Sequence, residues 1–100
     1  MIRFIEVTKK HIANGIRGDN CNCAIALALA DEYKTSDVSV EMEDGPLLCV
    51  DDKILDIAGS EMADDIDLFI QDFDYNNEVK PFTIQVYEKA GAWEQYTETK

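Results

Sequence analysis

Basic residues are scarce in this chain of 100 residues, where nine lysines and arginines stand against 21 aspartates and glutamates for a formal net charge of −12 at pH 7. DNA, RNA or an anionic membrane would add like charge to such a surface, so direct binding to any of them is disfavoured. The deficit lies in the middle of the chain. Residues 31–78 hold sixteen acidic side chains and only Lys34 and Lys53, so this segment carries −14 and the flanks together +2.

Long apolar runs are also missing. The longest is Cys23 to Ala30, with 8 residues, whereas a transmembrane helix needs about 20. Residues 1–10 are charged and lack the apolar stretch of a secretion signal. We therefore expect a soluble cytoplasmic protein that does not associate with membranes.

Cysteine and histidine are few: Cys21, Cys23, Cys49 and His11. An odd number of cysteines does not suggest a disulfide framework and agrees with reduced thiols. The four residues could supply a tetrahedral zinc site, which remains an alternative. However, the C-x-C spacing directs its two sulfurs differently and Cys49 falls in a predicted strand, so we expect structural thiols and no metal or other cofactor.

Sequence motifs of catalysis are absent. There is no G-x-S-x-G, no phosphate-binding glycine loop and no H-E-x-x-H. Cys21 at a predicted helix start could be reactive, but no general base can be assigned to it. His11 stands alone, as capping or packing histidines often do. The chain is therefore predicted to have no catalytic residues and not to be an enzyme.

Local patterns predict the first two helices. A short β segment around Ile2 to Ile5 precedes Thr8, which suits the N-cap of a helix ending at Asn14. The turn Gly18-Asp19-Asn20 would then start a second helix, about Cys21 to Tyr33. This helix is rich in alanine and is predicted to be buried on most sides.

The second half of the chain alternates more regularly. Val38 to Met42, Leu47 to Val50 and Lys53 to Ile57 predict three antiparallel strands. Ser60 would cap a third helix, and residues 81–88 form the last strand. The order β-α-α-β-β-β-α-β predicts one α+β domain, residues 1–90, with a mostly antiparallel sheet against two to three helices, followed by a loosely held tail, residues 91–100.

The third predicted helix concentrates the negative charge on one side. Its core stripe consists of Met62, Ile66, Phe69, Ile70 and Phe73. At about 100° per residue, the opposite face carries Leu68 surrounded by four acidic residues, namely Glu61, Asp64, Asp65 and Asp72. A large apolar residue ringed by carboxylates is typical of an interface anchor with a charged rim. The alternative is a solvated face with one isolated leucine.

Further acidic residues join this candidate binding surface. Glu41 and Glu43 lie on the outer side of the strand that begins at Val38. Asp51 and Asp52 form the turn after the following strand, Leu47 to Val50. Along the third helix the carboxylates are spaced at roughly 5 to 12 Å, a range that brackets neighbouring phosphates on one DNA strand. A surface of this kind could imitate nucleic acid.

Parts of the sequence resemble a group of small phage and prophage proteins of unassigned function. The likeness covers about two thirds of the chain. It is carried by Val7-Thr8-x-x-His11-Ile12-x-x-Gly15, Gly18-Asp19, Cys23, Ile25-Ala26-Leu27-Ala28-Leu29, Phe69-Ile70-x-x-Phe73-Asp74 and Pro81-Phe82-x-Ile84. The group tends to show C-x-x-C-P, whereas this chain has Cys21-Asn22-Cys23-Ala24. The resemblance implies an origin in a mobile element.

Charge and resemblance together favour an inhibitor of a host nucleic-acid-processing defence complex, of the anti-CRISPR or anti-restriction type. Its acidic surface would occupy a basic groove in the cytoplasm of the host cell. The alternative is a non-enzymatic structural or regulatory interaction module, which could be a homo-oligomer, with an acidity that serves only solubility.

Overall fold

The first and last strands pair with each other in the computed structural model, which describes residues 2–87. Strand β1 (Ile2–Val7) runs antiparallel to β6 (Phe82–Tyr87), and the short β5 (Asp56–Ile57) lies on the other side of β6. Alternation along β1 sends Ile5 and Val7 into the core, while Phe4 faces outward and is 57% exposed. The tail predicted for residues 91–100 lies outside the described residues.

A second three-stranded sheet is built from a hairpin and a short extension. Strands β2 (Val38–Met42) and β3 (Pro46–Val50) are antiparallel, and β4 (Lys53–Ile54) pairs with β3. Val40 and Leu48 lie opposite each other on the core face, whereas Glu41 is on the outer face. The strand predicted from the alternation that begins at Val38 is confirmed and ends at Met42, which is 44% exposed, and the strand predicted from Leu47 begins one residue earlier.

The single strand predicted from Lys53 to Ile57 is wrong. The chain instead leaves β4 and enters β5, which belongs to the other sheet. Leu55 lies between the two and is 5% exposed, and its backbone N–H donates to the carbonyl of Leu48. With Leu55 buried, the chain passes from the second sheet to the first. The expected three-stranded meander therefore has only two full strands, and the described domain has two sheets.

The helices agree with the sequence pattern more closely. Helix α1 (Lys9–Asn14) has Thr8 as its N-cap, as predicted. Helix α2 (Ala24–Tyr33) begins three residues later than expected, with Cys23 as its N-cap, because residues 19–22 form turns. Helix α3 (Ser60–Asp74) is capped by Gly59 rather than Ser60.

The core lies between the two sheets and both long helices. Helix α2 contacts β1, β2 and β3, and α3 contacts β3, β5 and β6. Leu29 of α2 and Phe73 of α3 are at most 1% exposed, as are Leu48 and Ile84 from the two sheets. The predicted α+β class with antiparallel pairing is therefore confirmed. Within residues 2–87, no helix has the length and apolar character needed to cross a membrane.

Candidate functional site

The outer surface of α3 presents the predicted acidic residues together. We call it the α3 acidic face; it consists of Glu61, Asp64, Asp65, Leu68 and Asp72. All five are exposed, and Leu68 is 59% exposed. The helix buries only Ile66, Phe69 and Phe73 on its opposite side. The period of 3.6 residues thus separates a core stripe from an acidic face that plays no part in packing.

The charges on this face are not balanced by basic side chains of the described residues. Within residues 2–87, none of its four carboxylates forms a salt bridge. Asp72 accepts one hydrogen bond, from the amide Nδ2 of Asn77 at 3.3 Å, and Asn77 is uncharged. Exposed carboxylates of like sign on one helix repel one another, and a basic partner would relieve that repulsion.

The other predicted binding residues fall in two separate places. Glu41 and Glu43 lie near the tip of the β2–β3 hairpin, while Asp51 and Asp52 lie at the opposite end of it. Four residues of strand separate these ends by about 13 Å. These four residues therefore form two acidic positions at opposite ends of the hairpin rather than one group.

Asp51 and Asp52 have a structural role that the sequence prediction did not include. Both adopt positive φ angles, 51° and 67°, in the two-residue turn between β3 and β4. This is the left-handed conformation that such a hairpin turn requires and that Asp tolerates better than most residues. Asp51 also accepts a hydrogen bond from the hydroxyl of Thr35 at 2.9 Å. Turn geometry is sufficient to account for these two residues.

His11 is part of a helix cap. The Thr8 backbone N–H donates to His11 Nδ1 at 3.0 Å, and the His11 backbone N–H donates to Thr8 Oγ1 at 3.3 Å. Nδ1 is thus an acceptor, so the neutral ring carries its proton on Nε2, which lies 2.6 Å from Asp31 Oδ2. Thr8 Oγ1 also lies 3.1 Å from Nδ1, so Thr8, His11 and Asp31 have the contacts of a catalytic triad. Nδ1 and the Thr8 hydroxyl oxygen, however, each accept a backbone N–H of the helix cap.

The three cysteines lie in three different environments. Cys21 is exposed in the turn before α2, not at the helix start as predicted, so the argument for its reactivity no longer holds. Cys49 is on the outer face of the second sheet, opposite Ile54. Burial raises the pKa of the Cys23 thiol, which opposes a nucleophilic role. Among residues 2–87, no three His, Cys, Asp or Glu side chains are arranged to hold a metal ion.

A pocket opens beside α3, between that helix, β2 and the N-terminus of α2. Its walls are mostly apolar and include Ile25, Val40 and Phe73, and its volume is about 110 Å³. Asp19 and Asp74 also line it. The pocket was not predicted from the sequence because its residues come from segments far apart in the chain, and no local pattern brings them together.

Asp19 is held in place by its own turn. Its Oδ1 accepts hydrogen bonds from the backbone N–H groups of Cys21 at 3.0 Å and Asn22 at 3.1 Å, and its Oδ2 accepts one from Asn22 Nδ2 at 3.2 Å. The bond from the Cys21 N–H, followed by that from the Asn22 side chain, lowers the pKa of Asp19. This carboxylate therefore remains ionised at neutral pH.

Comparison of the chain with protein-family models, curated proteins and solved structures finds no match.

Proposed function

We propose that this chain is a non-catalytic binding protein whose α3 acidic face docks on a basic surface of a protein complex that processes nucleic acid. The observation that carries the proposal is the exposed Leu68 among four carboxylates without salt bridges in the described residues. Leu68 would supply the apolar contact, and the carboxylates would supply charge complementarity and a fast encounter.

The choice of partner follows from charge. The segment of residues 31–78 carries −14, and a groove that holds DNA or RNA is lined by lysine and arginine. Acidic residues 61, 65 and 72 are separated by about 6 and 10.5 Å along the helix axis, because each residue advances it by about 1.5 Å. These spacings are compatible with replacing some of the phosphates in such a groove.

The resemblance to phage and prophage proteins guides the biological context of the proposal. A mobile element gains from blocking host defence, so the proposed partner is a host complex of the CRISPR or restriction type. The protein would act in stoichiometric amounts, in the cytoplasm of the host cell, without binding nucleic acid itself. Its target would lose access to nucleic acid while the protein is bound.

The test combines charge reversal with competition by nucleic acid. A triple variant, Asp64→Lys with Asp65→Lys and Asp72→Lys, should fold normally yet lose capture of the partner from host lysate. A matched control reverses Asp37, Asp44 and Asp56, which are exposed residues outside α3, and changes the net charge by the same amount. Captured complex should be displaced by an oligonucleotide and weakened at high salt, since the charges are screened within about 8 Å at 0.15 M.

Results that contradict the proposal are equally specific. If both triple variants lose binding to the same extent, net charge rather than the α3 acidic face is responsible. If the partner remains bound at high salt and in excess oligonucleotide, the idea of groove occupation is wrong.

A second function is favoured by a different surface. Ile2, Phe4 and Tyr87 are 40%, 57% and 51% exposed on the outer side of the first sheet, where Ile2 is directly opposite Tyr87. This exposure supports a structural or regulatory interaction module, with a homo-oligomer as one form. In that case Phe4→Ser or Leu68→Asp would change the sedimentation coefficient or abolish association, and the charge-reversed triple variant would behave as the wild type.

A further inference from the structure

We propose that the pocket between α2, β2 and α3 binds a lysine side chain of the partner, with the methylene groups against its apolar walls and the ammonium group at Asp74. The inference rests on the proposed function for the basic character of the partner. It adds a second contact site, distinct from the α3 acidic face, and a specific residue type that this site accepts.

The size and walls of the pocket suit an unbranched aliphatic chain. Its volume of about 110 Å³ is of the same order as the roughly 150 Å³ cavity that accepts benzene in an engineered protein. Val40, Ile25 and Phe73 are at most 5% exposed and form an apolar wall that is packed into the core. Met42, at the exposed end of β2, lines the same pocket and is 44% exposed, so an apolar stem can enter from solvent along a flexible side chain.

The charge at the pocket selects a cation. Asp74 and Asp19 both line it, and no salt bridge within residues 2–87 neutralises either of them. The charge of Asp74 is felt inside the pocket, since it contributes to the raised pKa of the Cys23 thiol, after the larger effect of burial. An apolar cavity beside an ionised carboxylate favours a ligand with an aliphatic stem and a cationic end, because lysine places its stem on apolar surface and its charge in water.

The hydrogen bonds of the two carboxylates favour lysine over arginine. Both oxygens of Asp19 accept bonds from its own turn, and Asp74 Oδ1 accepts one from the Gly18 backbone N–H at 3.1 Å. Asp74 Oδ2 is thus the oxygen that remains for a ligand. An ammonium group can donate one N–H to this oxygen and the other two to water, whereas the planar guanidinium is best matched by a carboxylate with two free oxygens.

Arg17 provides an internal indication that this region accepts a cation. Its Cζ atom lies 4.9 Å from the centre of the Phe73 ring, which is also a wall of the pocket. Arg17 forms no salt bridge with Asp74. It does place a like charge near the incoming ammonium group, so its removal should strengthen binding.

The position of the pocket connects it with the α3 acidic face. At about 100° per residue, Asp74 lies roughly 120° around the helix from Leu68, on the same flank as Asp67 and Ile70. One basic surface could therefore contact Leu68 and insert a lysine beside Ile70. Because Asp64, Asp65 and Asp72 do not line the pocket, the two sites can be altered separately.

The experiment uses four small probes on the isotopically labelled protein: n-butylammonium, 1-butanol, butyrate and ammonium chloride. Methyl resonances of Ile25, Val40 and Ile70 are followed during titration. We expect n-butylammonium to shift them with millimolar affinity, 1-butanol to bind more weakly and butyrate not to bind. Ammonium chloride should leave these methyl resonances unchanged, since it lacks the apolar stem.

Variants then assign the charge and the cavity. Asp74→Asn should lower the affinity for n-butylammonium by about threefold to tenfold and leave that for 1-butanol unchanged, in line with loss of a charge-assisted hydrogen bond. Arg17→Gln should raise the affinity. Met42→Trp should block all probes by filling the entrance; since position 42 is an exposed end of a strand, the fold should tolerate it.

The outcomes that overturn the inference are distinct from those that bear on the proposed function. Equal shifts by butyrate and n-butylammonium, or the absence of shifts at the three methyl-bearing residues, would exclude a lysine site. Tighter binding of n-butylguanidinium would exclude the assignment to lysine. If these probes fail while the charge-reversed triple variant still loses its partner, the α3 acidic face acts alone and the proposed function stands.

Discussion

Helices α2 and α3 belong to the same core but differ in how much of their surface the fold occupies. In α2, five of ten residues are buried and Asp31 alone is exposed. In α3, three of fifteen residues are buried and eight are exposed. Helix α2 lies against both sheets, so nearly every position on it contacts another element, whereas α3 covers the core with one side.

This difference separates folding from recognition. Substitutions in α2 must change packing, because there is little surface that packing does not use. The outer positions of α3 are free of that constraint, yet they include an exposed leucine and carboxylates that repel one another. Residues that weaken or do not assist folding are the ones for which a binding role is the better explanation.

The largest expected effect comes from making the same substitution in both helices. Leu29→Ala in α2 removes a side chain that is fully buried and should cost about 2 to 5 kcal/mol of unfolding free energy. Leu68→Ala in α3 removes one that is 59% exposed and should change it by no more than about 0.5 kcal/mol. Urea denaturation of both variants measures the difference.

The proposed function predicts the reverse order for binding. Leu68→Ala should weaken partner capture strongly, while Leu29→Ala should retain it under conditions in which the protein is folded. A Leu68→Ala variant that is destabilised as much as Leu29→Ala would show that α3 is packed on both sides and would remove the contrast.

A smaller effect is expected where α1 meets the start of α2. Gly15 has an ordinary φ of −70°, but a Cβ atom there would lie 2.5 Å from the backbone nitrogen of Ala24 and 2.9 Å from its Cα. The chain cannot relieve this contact without moving the N-terminus of α2. Gly15→Ala should therefore cost about 1 to 3 kcal/mol, measured as a loss of unfolding free energy.

Gly18 supplies the control, because its constraint is conformational rather than steric. It has a φ of 75°, and a Cβ atom added there would meet nothing within 4 Å. Asn adopts left-handed conformations more readily than Ala. Gly18→Asn should thus be better tolerated than Gly18→Ala, whereas Gly15→Asn should be at least as harmful as Gly15→Ala. Equal tolerance of Asn at both glycines would refute the steric role of Gly15.

Much of the fold could be predicted where a signal is local. Helix α1 follows its N-cap Thr8 and ends at Asn14, as expected, since an N-cap and a following glycine determine helix ends through neighbouring residues only. The stripe of α3 and the alternation from Val38 to Met42 follow from periodicity alone. The α3 acidic face was predicted for the same reason, because a helical period determines which residues share a side.

The remaining features depend on contacts between distant segments. The apolar alternation from Lys53 to Ile57 is that of one strand, and only pairing of Asp56 and Ile57 with β6 divides it between two sheets. The pocket is similarly nonlocal, since Asp19 and Asp74 approach it from different ends of the chain. Local sequence patterns do not specify contacts between distant segments. Neither the division of the predicted strand nor the pocket could therefore be predicted from the sequence.

The smallest effect tests whether the acidity of α3 opposes its stability. Asp72 lies in the last turn, where the helix dipole disfavours negative charge and α3 has no basic residue. Asp72→Asn keeps an oxygen acceptor for Asn77 and should stabilise the protein by about 0.3 to 1 kcal/mol at low salt, with a smaller gain at high salt. Glu61→Gln in the first turn, where the dipole favours a carboxylate, is the matched control and should destabilise by a similar amount.

Denaturant midpoints at two salt concentrations measure both changes, and partner capture by the same proteins completes the test. Loss of charge should weaken binding in both variants, so stability and binding change in opposite directions for Asp72 and in the same direction for Glu61. That sign pattern separates a carboxylate that serves recognition from one that serves the helix. Stabilisation without loss of binding in Asp72→Asn would remove Asp72 from the proposed contact and confine the α3 acidic face to residues around Leu68 in the first three turns.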